Sequence, residues 1–596
     1  MTIMKAYANI LLAASVALTL CSCNDWLTIQ PRDIVTEDNF WNEKADITQS
    51  VAGVYAAMQS DDFISRCIVW GEGRSDNLYP SGNLTGGDYY ELMRENLLST
   101  NGFTDWSKFY YVINQCNVII EMAPIVSQRD PAYRASDVLA TQAEMTALRS
   151  LCYFYLIRTF DEVPFTRTGV QAEDKVEYLP ASSFDYILHE IITDLEAVKN
   201  NALVHYATTK NDGPGLTYWS NCNRITRTSI NAMLADMYLW AGEYDKSIAR
   251  AEDVITQKRS DYTEYYGQRT GMGNSGPQEV QGLYGRILPL YVATTSNPSA
   301  VDQAVFGQGN SFESIFELSF NYTSGSSYVA SRALGTIYGT GNTDVNNNGS
   351  GTLVVNPTIV GDLATGSFAY FDHQYDARFY NALEAVDANY GEGYVRKCVA
   401  KNYNLMSSSS NTKIVFDNAS SGAFSLSGNL DRNWIFYRLT DVALIEAEAY
   451  AMKAYEAMQA GEAADTYAEW LQKAFDLVYV VNKRSTTYAS SYLRSTHSAT
   501  TAPGPAIQLI RSEREREFIF EGKRWFDLLR QARRDGNPSI VRSLVTSKLS
   551  GAGSKGTFPS MDALYWPYNK NELKVNTFLK QKSIYASEAS DEYEMN

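Results

Sequence analysis

The sequence predicts a mainly α-helical fold, in which helix pairs of the tetratricopeptide type form a scaffold with long irregular loops and a few short strands. Two observations lead to this fold class. Small and apolar residues recur at the spacing of packed helix pairs in several parts of the chain. In contrast, residues 262–431 are rich in Gly, Ser, Asn and Tyr and contain only short alternating pieces. Long irregular segments of this kind in a compact protein are usually functional.

The clearest helix pair is predicted over residues 234–251. Small residues such as Ala235 and Ala251 stand where two helices approach each other, and Gly242 stands at the turn between them. One such unit cannot bury its own apolar face, so several pairs must stack. Further helical stretches are predicted at residues 106–122, 143–157 and 437–449, the last of which pairs with residues 474–484.

Aromatic residues concentrate in two loop regions. The chain has 41 Tyr against 24 Phe, and a tyrosine ring with its hydroxyl suits a half-exposed recognition surface. The first region, residues 70–90, combines Trp and Tyr with Asp and Asn. The second is residues 262–431, whose rings are too many for a solvated linker. Its tyrosines before residue 340 include Tyr262, Tyr265, Tyr266, Tyr284, Tyr291, Tyr322, Tyr328 and Tyr338.

The first 23 residues predict export and a lipid anchor. The apolar stretch from Ile10 to Leu20 follows a basic start and is too short to span a bilayer of roughly 30 Å, so it is typical of a secretory signal. The following Leu20-Cys21-Ser22-Cys23 is similar to a bacterial lipobox, which implies cleavage before Cys23 and acylation of that residue. Several acyl chains hold a protein stably at a membrane. The alternative is ordinary cleavage that leaves Cys23 as a thiol.

The net charge and the few His and Cys residues argue against several classes of function. A net charge of −17 argues against nucleic acid as a partner, because nucleic-acid binders need a basic surface. After Leu20 no second apolar run is long enough for a transmembrane helix. The 4 His form no metal or catalytic-triad signature, and the five Cys beyond Cys23 form no CxxC motif, so they are expected to be buried thiols. We predict no cofactor and no metal.

The most specific motif is RSEREREFIFEGKRWFDLLR at residues 511–530. Other motifs precede and follow it in a fixed order. They are Asn24-Asp25-Trp26-Leu27, Asp161-Glu162-Val163-Pro164-Phe165, Tyr437-Arg438-Leu439, Glu446-Ala447-Glu448-Ala449, Asn482-Lys483-Arg484 and Leu564-Tyr565-Trp566-Pro567-Tyr568. Over essentially the whole mature chain, this order resembles the SusD/RagB family of outer-membrane nutrient-binding lipoproteins.

The resemblance implies a SusD-like fold and a lipid-anchored protein that faces the exterior of the cell outer membrane. Such a protein captures oligosaccharides, or peptides in the RagB branch, without catalysis. It delivers them to a SusC-like TonB-dependent transporter. The residues fit this role, because flat aromatic rings cover the C–H faces of sugars while Asn and Asp hold hydroxyl groups. We predict a ligand-binding site formed by Trp70, Asp76, Asn77, Tyr79, Tyr265, Tyr266, Tyr322 and Tyr328.

Two other functions remain open at this point. A secreted glycoside hydrolase needs two carboxylates that flank one glycosidic bond. The 68 acidic residues neither exclude nor indicate such a pair. The other alternative is a subunit that covers its transporter as a lid and binds no nutrient of its own.

Three carboxylates of the signature motif lie on one helix face. Glu513, Glu517 and Glu521 are spaced at i, i+4 and i+8, which suits an acid–base pair or metal ligands, but like charges so placed repel each other unless they are paired. We therefore favour an ion network that joins helices. The candidate partners are Arg438, Arg484, Arg514 and Arg524.

A partial calcium motif begins at Asp344. Asn346, Asn348, Gly349 and Ser350 continue the first half of an EF-hand loop, but position twelve is valine where such a loop needs a bidentate Glu. A turn rich in Asn and Gly explains these residues equally well. Calcium is therefore not predicted here.

The predicted organisation has four parts. Residues 1–22 are the signal peptide, and residues 23–260 form an N-terminal half that contains helix pairs. Residues 261–430 are a loop-rich insertion that contributes to ligand binding. Residues 431–596 carry the signature motif and pack on the helical scaffold.

Overall fold

The computed structural model of the 596-residue chain describes most of the sequence after residue 39. The described residues are 40–80, 84–171, 177–206, 221–266, 276–294, 297–307, 309–320, 332–338, 352–360, 371, 376–385, 393–395, 397, 405–407, 414–416, 432–486, 493, 497–552 and 558–586.

Helices dominate the described residues. In the N-terminal part they are α1 (Lys44–Met58), α2 (Asp61–Ile68), α3 (Asp88–Met93), α4 (Ser107–Arg129), α5 (Ala135–Phe160), α6 (Phe184–Val198), α7 (Arg227–Trp240) and α8 (Tyr244–Tyr265). The middle part has α9 (Ala300–Asp302), α10 (Arg332–Ile337), α11 (Pro357–Val360) and α12 (Ala377–Ala382). The C-terminal part has α13 (Leu439–Gln459), α14 (Ala464–Ser485), α15 (Pro503–Phe518), α16 (Arg524–Asp535), α17 (Ser539–Ala552) and α18 (Lys570–Val575).

The strands are short and pair in an antiparallel manner. They are β1 (Leu78–Pro80), β2 (Val163–Pro164), β3 (Ala181–Ser182), β4 (Gln278–Gln281), β5 (Ile287–Leu290), β6 (Ser314–Leu318), β7 (Leu353–Val355), β8 (Leu383–Ala385), β9 (Gly393–Val395), β10 (Leu405–Ser407), β11 (Ile414–Phe416) and β12 (Trp434–Arg438). One sheet has the order β1-β7-β9-β8. The remaining pairs are β2–β3, β4–β5, β6–β12 and β10–β11.

Consecutive helices pack in pairs, as the sequence predicts. Helix α4 packs against α5, α7 against α8 and α13 against α14, while α8 also packs against α13. The predicted unit at residues 234–251 is the pair α7–α8, and Gly242 between them has a φ of +74°, which favours glycine. Ser247 donates a hydrogen bond of 2.7 Å from Oγ to the carbonyl oxygen of Ala235, and both residues are fully buried. The mainly α-helical fold class is confirmed.

Parts of the chain that are distant in sequence share one hydrophobic core. A single cluster of buried side chains extends from Trp41 to Leu579, and a second cluster lies around α13, α14 and α15. Five cysteines are predicted to be buried thiols, and the structure confirms this for Cys67, Cys116, Cys152 and Cys222. Cys398 lies outside the described residues. Within the described ranges, no helix has both the length and the apolar composition that are needed to cross a membrane.

The signature motif approaches an N-terminal turn through the backbone. A π-helical turn at Val69–Gly73 follows α2. A Cβ atom added at Gly71 would lie only 1.9 Å from the carbonyl oxygen of Gly522, which itself has a φ of +70°. Because a side chain at Gly71 would collide with this backbone, the close approach requires glycine there.

Helix α15 carries Glu513 and Glu517 but ends at Phe518, so the expected stripe on one helix is wrong for Glu521, which lies in the following turn. The three carboxylates are nevertheless the centre of a buried ion network. Glu517 accepts hydrogen bonds from Arg438 Nη1 at 2.6 Å and Arg378 Nη1 at 3.0 Å, and a third from Arg484. Burial alone raises the pKa of the Glu517 carboxyl. The three guanidinium groups outweigh this effect and hold that pKa well below its ordinary value.

The two flanking carboxylates of the stripe are paired as well. Glu513 Oε1 accepts from Arg378 Nη1 at 2.7 Å. Glu521 Oε1 lies 2.8 Å from Arg438 Nη2 and 2.6 Å from Lys397 Nζ. The predicted ion network is therefore confirmed for all three glutamates, with Arg438 and Arg484 among the expected partners.

Two of the predicted partners are used elsewhere, so this part of the prediction is wrong. Arg514 pairs with Asp441 at 3.1 Å and Asp527 at 2.9 Å, and Arg524 pairs with Asp76 at 2.8 Å. Residue 514 follows Glu513 directly, so it projects about 100° around the helix from the glutamate stripe. The loop-rich region supplies Arg378 and Lys397 in their place.

We predict that Glu521→Gln destabilises the protein without changing its chemistry. The substitution leaves the buried Lys397 without its carboxylate and Arg438 with that of Glu517 alone, and removing one partner of a buried pair costs about 3–5 kcal/mol. Urea unfolding should show a loss of free energy of this size, while the folded fraction keeps its ligand affinity. The matched control is Glu469→Gln, which breaks an exposed pair with Lys473 and should leave the unfolding midpoint unchanged. Equal midpoints for Glu521→Gln and the wild type would contradict the network.

Candidate ligand-binding surface

The N-terminal turn places Trp70 in the core and not on a surface. Its side chain has no exposed area. The indole Nε1 donates to the carbonyl oxygen of Phe103 at 2.9 Å, and the ring lies against Phe109 and Phe160 at centroid distances of 4.7 and 5.4 Å. Since no face of the ring is left for a ligand, the predicted role of Trp70 as a binding platform is corrected to a packing role.

Asp76 and Asn77 also have structural partners. Both carboxylate oxygens of Asp76 accept from Arg524, each at 2.8 Å. Burial raises the pKa of Asp76, but the Arg524 guanidinium outweighs burial and holds this pKa below its ordinary value. Asn77 is fully buried and donates from Nδ2 to Glu72 Oε1 at 2.7 Å. Neither side chain is available to hold sugar hydroxyls, so these two predictions are also corrected.

Tyr79 is the predicted aromatic residue of this first region that reaches the surface. It is half-buried on β1, opposite Val354 of β7. The neighbouring pair in the register is Pro80 and Leu353, so the chain leaves β1 toward residue 84 beside the point where it enters β7. This pairing brings the first aromatic region next to the second.

Helix α3 packs against β1 and adds a tyrosine that the predicted site did not include. Tyr90 is half-buried, and its hydroxyl accepts a hydrogen bond of 3.0 Å from Arg94 Nη1. The Arg94 guanidinium carbon also lies 5.0 Å from the centroid of the Tyr90 ring. The spacing of these two residues, four positions apart on the chain, is the signal that could have identified them.

A second group of rings, which we call the tyrosine cluster, lies at the end of α8. It consists of Tyr262, Tyr265, Tyr266, Tyr291 and Phe312. Tyr262 and Tyr266 are half-buried and stack at a centroid distance of 5.6 Å with an interplanar angle of 19°. The edge of Phe312 meets both rings, at 6.1 and 5.7 Å. Tyr265 is half-buried on the same helix, and burial raises its pKa.

Polar groups fix the base of the tyrosine cluster. Lys258 is buried and donates from Nζ to the carbonyl oxygens of Phe312 and Ser314, both at 2.8 Å. The hydrogen bond of 3.0 Å to Asp261 raises the pKa of the His205 imidazole. These groups line a small polar cavity of about 20 Å³ together with Asn221, Cys222 and Thr226. Lys258 Nζ lies 5.1 Å from the centroid of the Phe312 ring, so the cavity adjoins the base of the cluster.

The remaining predicted positions lie outside the described residues. These are Tyr322 and Tyr328, the acylation site Cys23 and the partial calcium motif that begins at Asp344. The described residues on either side of residues 321–331 are held in place: Phe320 N donates to Asn433 Oδ1 at 3.0 Å, and Ala333 N donates to Asp61 Oδ1 at 3.2 Å. Among the described parts of the chain, no group of three or more His, Cys, Asp or Glu could hold a metal ion.

The fold and these surfaces define a class of protein: a helical scaffold that presents half-exposed tyrosines beside polar groups. Residues 312–585 match the model of the SusD family. This match covers a little under half of the chain and, with the sequence relatives described below, confirms the resemblance to the SusD/RagB family seen in the sequence.

The sequence relatives are SusD-like proteins of Formosa agariphila. SusD-like protein P38 is 25% identical over 297 residues, which cover 47% of this chain and 54% of the relative. SusD-like protein P2 is 23% identical over 255 residues, which cover 40% of this chain and 45% of the relative. The chain thus spans about half the length of the curated relatives it matches.

Solved structures share the fold at low sequence identity. A SusD superfamily protein from Bacteroides vulgatus has a TM-score of 0.61 at 13% identity, with 91% of this chain and 99% of that chain covered. A putative sugar binding protein from the same organism gives 0.59 at 18% identity, with coverage of 91% and 99%. A laminarin binding SusD-like protein gives 0.58 at 18% identity, again with coverage of 91% and 99%. At these identities the likeness shows the fold alone.

The pair of Glu72 and Asn77 makes the folded state sensitive to pH. Glu72 is fully buried, and its Oε1 accepts from Asn77 Nδ2 at 2.7 Å and from the backbone N–H of Phe520 at 3.4 Å. Burial raises the pKa of Glu72 from 4.5 to about 7, and the hydrogen bond from Asn77 opposes this shift only in part. The folded chain therefore binds more protons here than the unfolded chain between these two pH values.

We predict that Glu72→Gln removes part of the loss of stability on going to neutral pH. Because the pKa of Glu72 is higher in the folded state, its ionisation destabilises the wild type by about 3 kcal/mol as the pH rises from 4.5 to 7. The variant has no carboxyl at this position and should lose this component of the pH dependence.

Urea unfolding at pH 4.5, 5.5, 6.5 and 7.5 would measure this difference between the two proteins. Glu462→Gln, at an exposed position on the turn between α13 and α14, is the control and should follow the wild type at every pH. Parallel pH profiles for Glu72→Gln and the wild type would rule out a protonated Glu72 in the folded state.

Proposed function

We propose that this protein binds glycans without catalysis at the outer surface of the outer membrane. It then passes them to a SusC-like TonB-dependent transporter. Family membership supports this function, as do the structural neighbours that are named as laminarin binding and as putative sugar binding. The observation that carries the proposal is the tyrosine cluster, in which two stacked and half-buried rings pack on Phe312, next to the polar groups around Lys258.

The geometry of the cluster suits a sugar. Half-exposed rings offer flat apolar faces to the C–H groups of a pyranose, and desolvation of such a face is favourable. The neighbouring His205 is partly exposed and is held by Asp261, so its other ring nitrogen is available to a hydroxyl group. Phe312 packs edge-on against Tyr262 and Tyr266 and supports both rings from below. Such a surface needs no acid–base pair, in agreement with a binding protein.

The proposed contact residues differ from those expected from the sequence. Tyr79, Tyr265 and Tyr266 are retained. Tyr262 is added because it stacks on Tyr266, and Tyr90 is added because its helix α3 packs against the strand of Tyr79. Tyr322 and Tyr328 remain proposed from the sequence alone. Peptides are the second ligand class that half-exposed tyrosines accept, and they belong in any binding panel.

We predict that the tyrosine cluster contributes directly to binding. Isothermal titration with laminarin, starch, mannan and a peptide digest would identify a ligand. For that ligand, Tyr262→Ala combined with Tyr266→Ala should weaken the affinity by about tenfold or more, since each 1.4 kcal/mol of lost contact is tenfold. Tyr262→Phe keeps the ring and should retain most of the affinity.

Tyr284→Ala provides the matched control for the loss of a tyrosine. Tyr284 is 50% exposed on the turn between β4 and β5, away from the cluster, and its removal should leave affinity and melting temperature unchanged. The absence of heat with every ligand would favour a lid subunit that binds no nutrient. New reducing ends after incubation with the glycans would show a hydrolase instead, and either result would overturn the proposal.

We also predict that the mature protein carries acyl chains at Cys23. Mass spectrometry of the N-terminal peptide from cells should find a diacylglyceryl modification there, and the wild type should fractionate with membranes. Cys23→Ala should abolish the modification and release the protein, whereas Cys21→Ala should change neither. An unmodified and freely diffusing mature wild type would refute the anchor.

A further inference from the structure

The C-terminal end of the described chain presents an exposed apolar surface. Val575, Phe578 and Ile584 are 55%, 59% and 36% exposed, and Tyr178 nearby is 48% exposed. We call these four residues the C-terminal patch. Scattered single apolar residues on a surface are ordinary, but four of them on two joined segments favour an interaction site.

Hydrogen bonds hold the C-terminal patch in place. Asn576 donates from Nδ2 to the carbonyl oxygen of Leu179 at 2.9 Å, which joins the two segments that carry the patch. Asn576 Oδ1 in turn accepts from the backbone N–H of Phe578 at 3.1 Å. The next side chain, Leu579, is 6% exposed and belongs to the core. The exposed position of Phe578 is therefore fixed by its neighbours.

The patch lies on a basic segment of an acidic protein. Residues 570–584 contain four lysines and one glutamate, a local excess of three positive charges in a chain of net charge −17. Lys574 and Lys580 are exposed, whereas Lys582 lies 3.8 Å from Asp161. The exposed Glu177 next to Tyr178 lowers the local excess to two.

This combination favours a lipid surface over a protein partner. The centres of protein interfaces are depleted of lysine. A surface that combines lysines with exposed aromatic and aliphatic side chains is instead typical of proteins that lie on anionic membranes, where each lysine adds electrostatic attraction. Lys574 and Lys580 flank Val575 and Phe578 in this way.

The first described residues of the chain are hydrogen-bonded to the segment between β2 and β3, which also carries part of the patch. Trp41 donates from Nε1 to Gln171 Oε1 at 3.2 Å. Gln171 and Leu179 both lie in the segment between strands β2 and β3. The two strands pair Val163 with Ser182, so the ends of this segment lie side by side. An acylated Cys23 would be separated from this point by a tether of at most about 60 Å.

From these observations, we infer that the C-terminal patch docks on an anionic lipid surface. Phe578, Val575, Ile584 and Tyr178 insert at the level of the headgroups while Lys574 and Lys580 contact anionic groups. An acylated N-terminus would hold the protein at the membrane, and the patch would set which face of the molecule lies against it. The inference needs neither the glycan nor the acyl chains, so its failure is distinguishable from a failure of the proposed function.

Vesicle co-sedimentation tests this inference. The protein is used with its signal peptide removed and without acyl chains. It should bind vesicles of phosphatidylcholine with 30% phosphatidylglycerol at low salt, and bind pure phosphatidylcholine weakly. Lys574→Glu with Lys580→Glu should weaken binding to the anionic vesicles by about tenfold or more. Phe578→Ser with Ile584→Ser should weaken it by about tenfold at equal charge.

Matched controls lie elsewhere on the surface. Lys246→Glu removes an exposed lysine and Tyr284→Ser removes an exposed ring, and both should bind vesicles like the wild type. Only variants whose melting temperature equals that of the wild type are compared. Wild-type protein that ignores anionic vesicles, or patch variants that bind them normally, would overturn the inference. Patch variants that keep vesicle binding but lose association with a purified transporter would overturn it in favour of protein docking.

Discussion

The carboxylate of Glu517 is the group on which the rest of the structure depends. It accepts from Arg438 at the end of β12, from Arg484 in the last turn of α14 and from Arg378 in α12. Each of these charges would be costly to bury alone, because the interior cannot replace the water that it loses. The four groups are therefore stable in the core only together. Helix α15 is thereby tied to three elements that come from different parts of the sequence.

A second set of contacts joins the signature motif to the N-terminal turn at Val69–Gly73 and to the residues after it. Glu72 accepts from the backbone of Phe520, Asp76 pairs with Arg524, and Gly71 touches the backbone of Gly522. The turn leads directly into β1, and β1 pairs with β7. The position of Tyr79 and of the start of the first loop is consequently set by contacts with the signature motif more than 440 positions away.

The helical scaffold could be predicted from the sequence because its signals are local, such as the small residues of α7 and α8 around Gly242. The glutamate stripe could also be interpreted, since repulsion at i, i+4 spacing demands partners. The burial of Trp70, Asp76 and Asn77 is not predictable from the sequence, because composition does not distinguish a buried side chain from an exposed one. The partner of Asp76 lies 448 positions away, and no local pattern indicates it. The i, i+4 spacing of Tyr262 and Tyr266, in contrast, was a usable signal for their stacking.

The SusD family match and several of the half-buried rings lie in different parts of the sequence. The matched residues 312–585 include Arg378, Arg438, Arg484 and Glu517, which bind one another and point into the core. Half-exposed rings such as Tyr79, Tyr262 and Tyr266 lie outside that range. We therefore expect substitutions at these rings to leave the buried network intact. The network and most of the proposed contact rings are different residues, and Phe312, on which Tyr262 and Tyr266 pack, lies at the first position of the match.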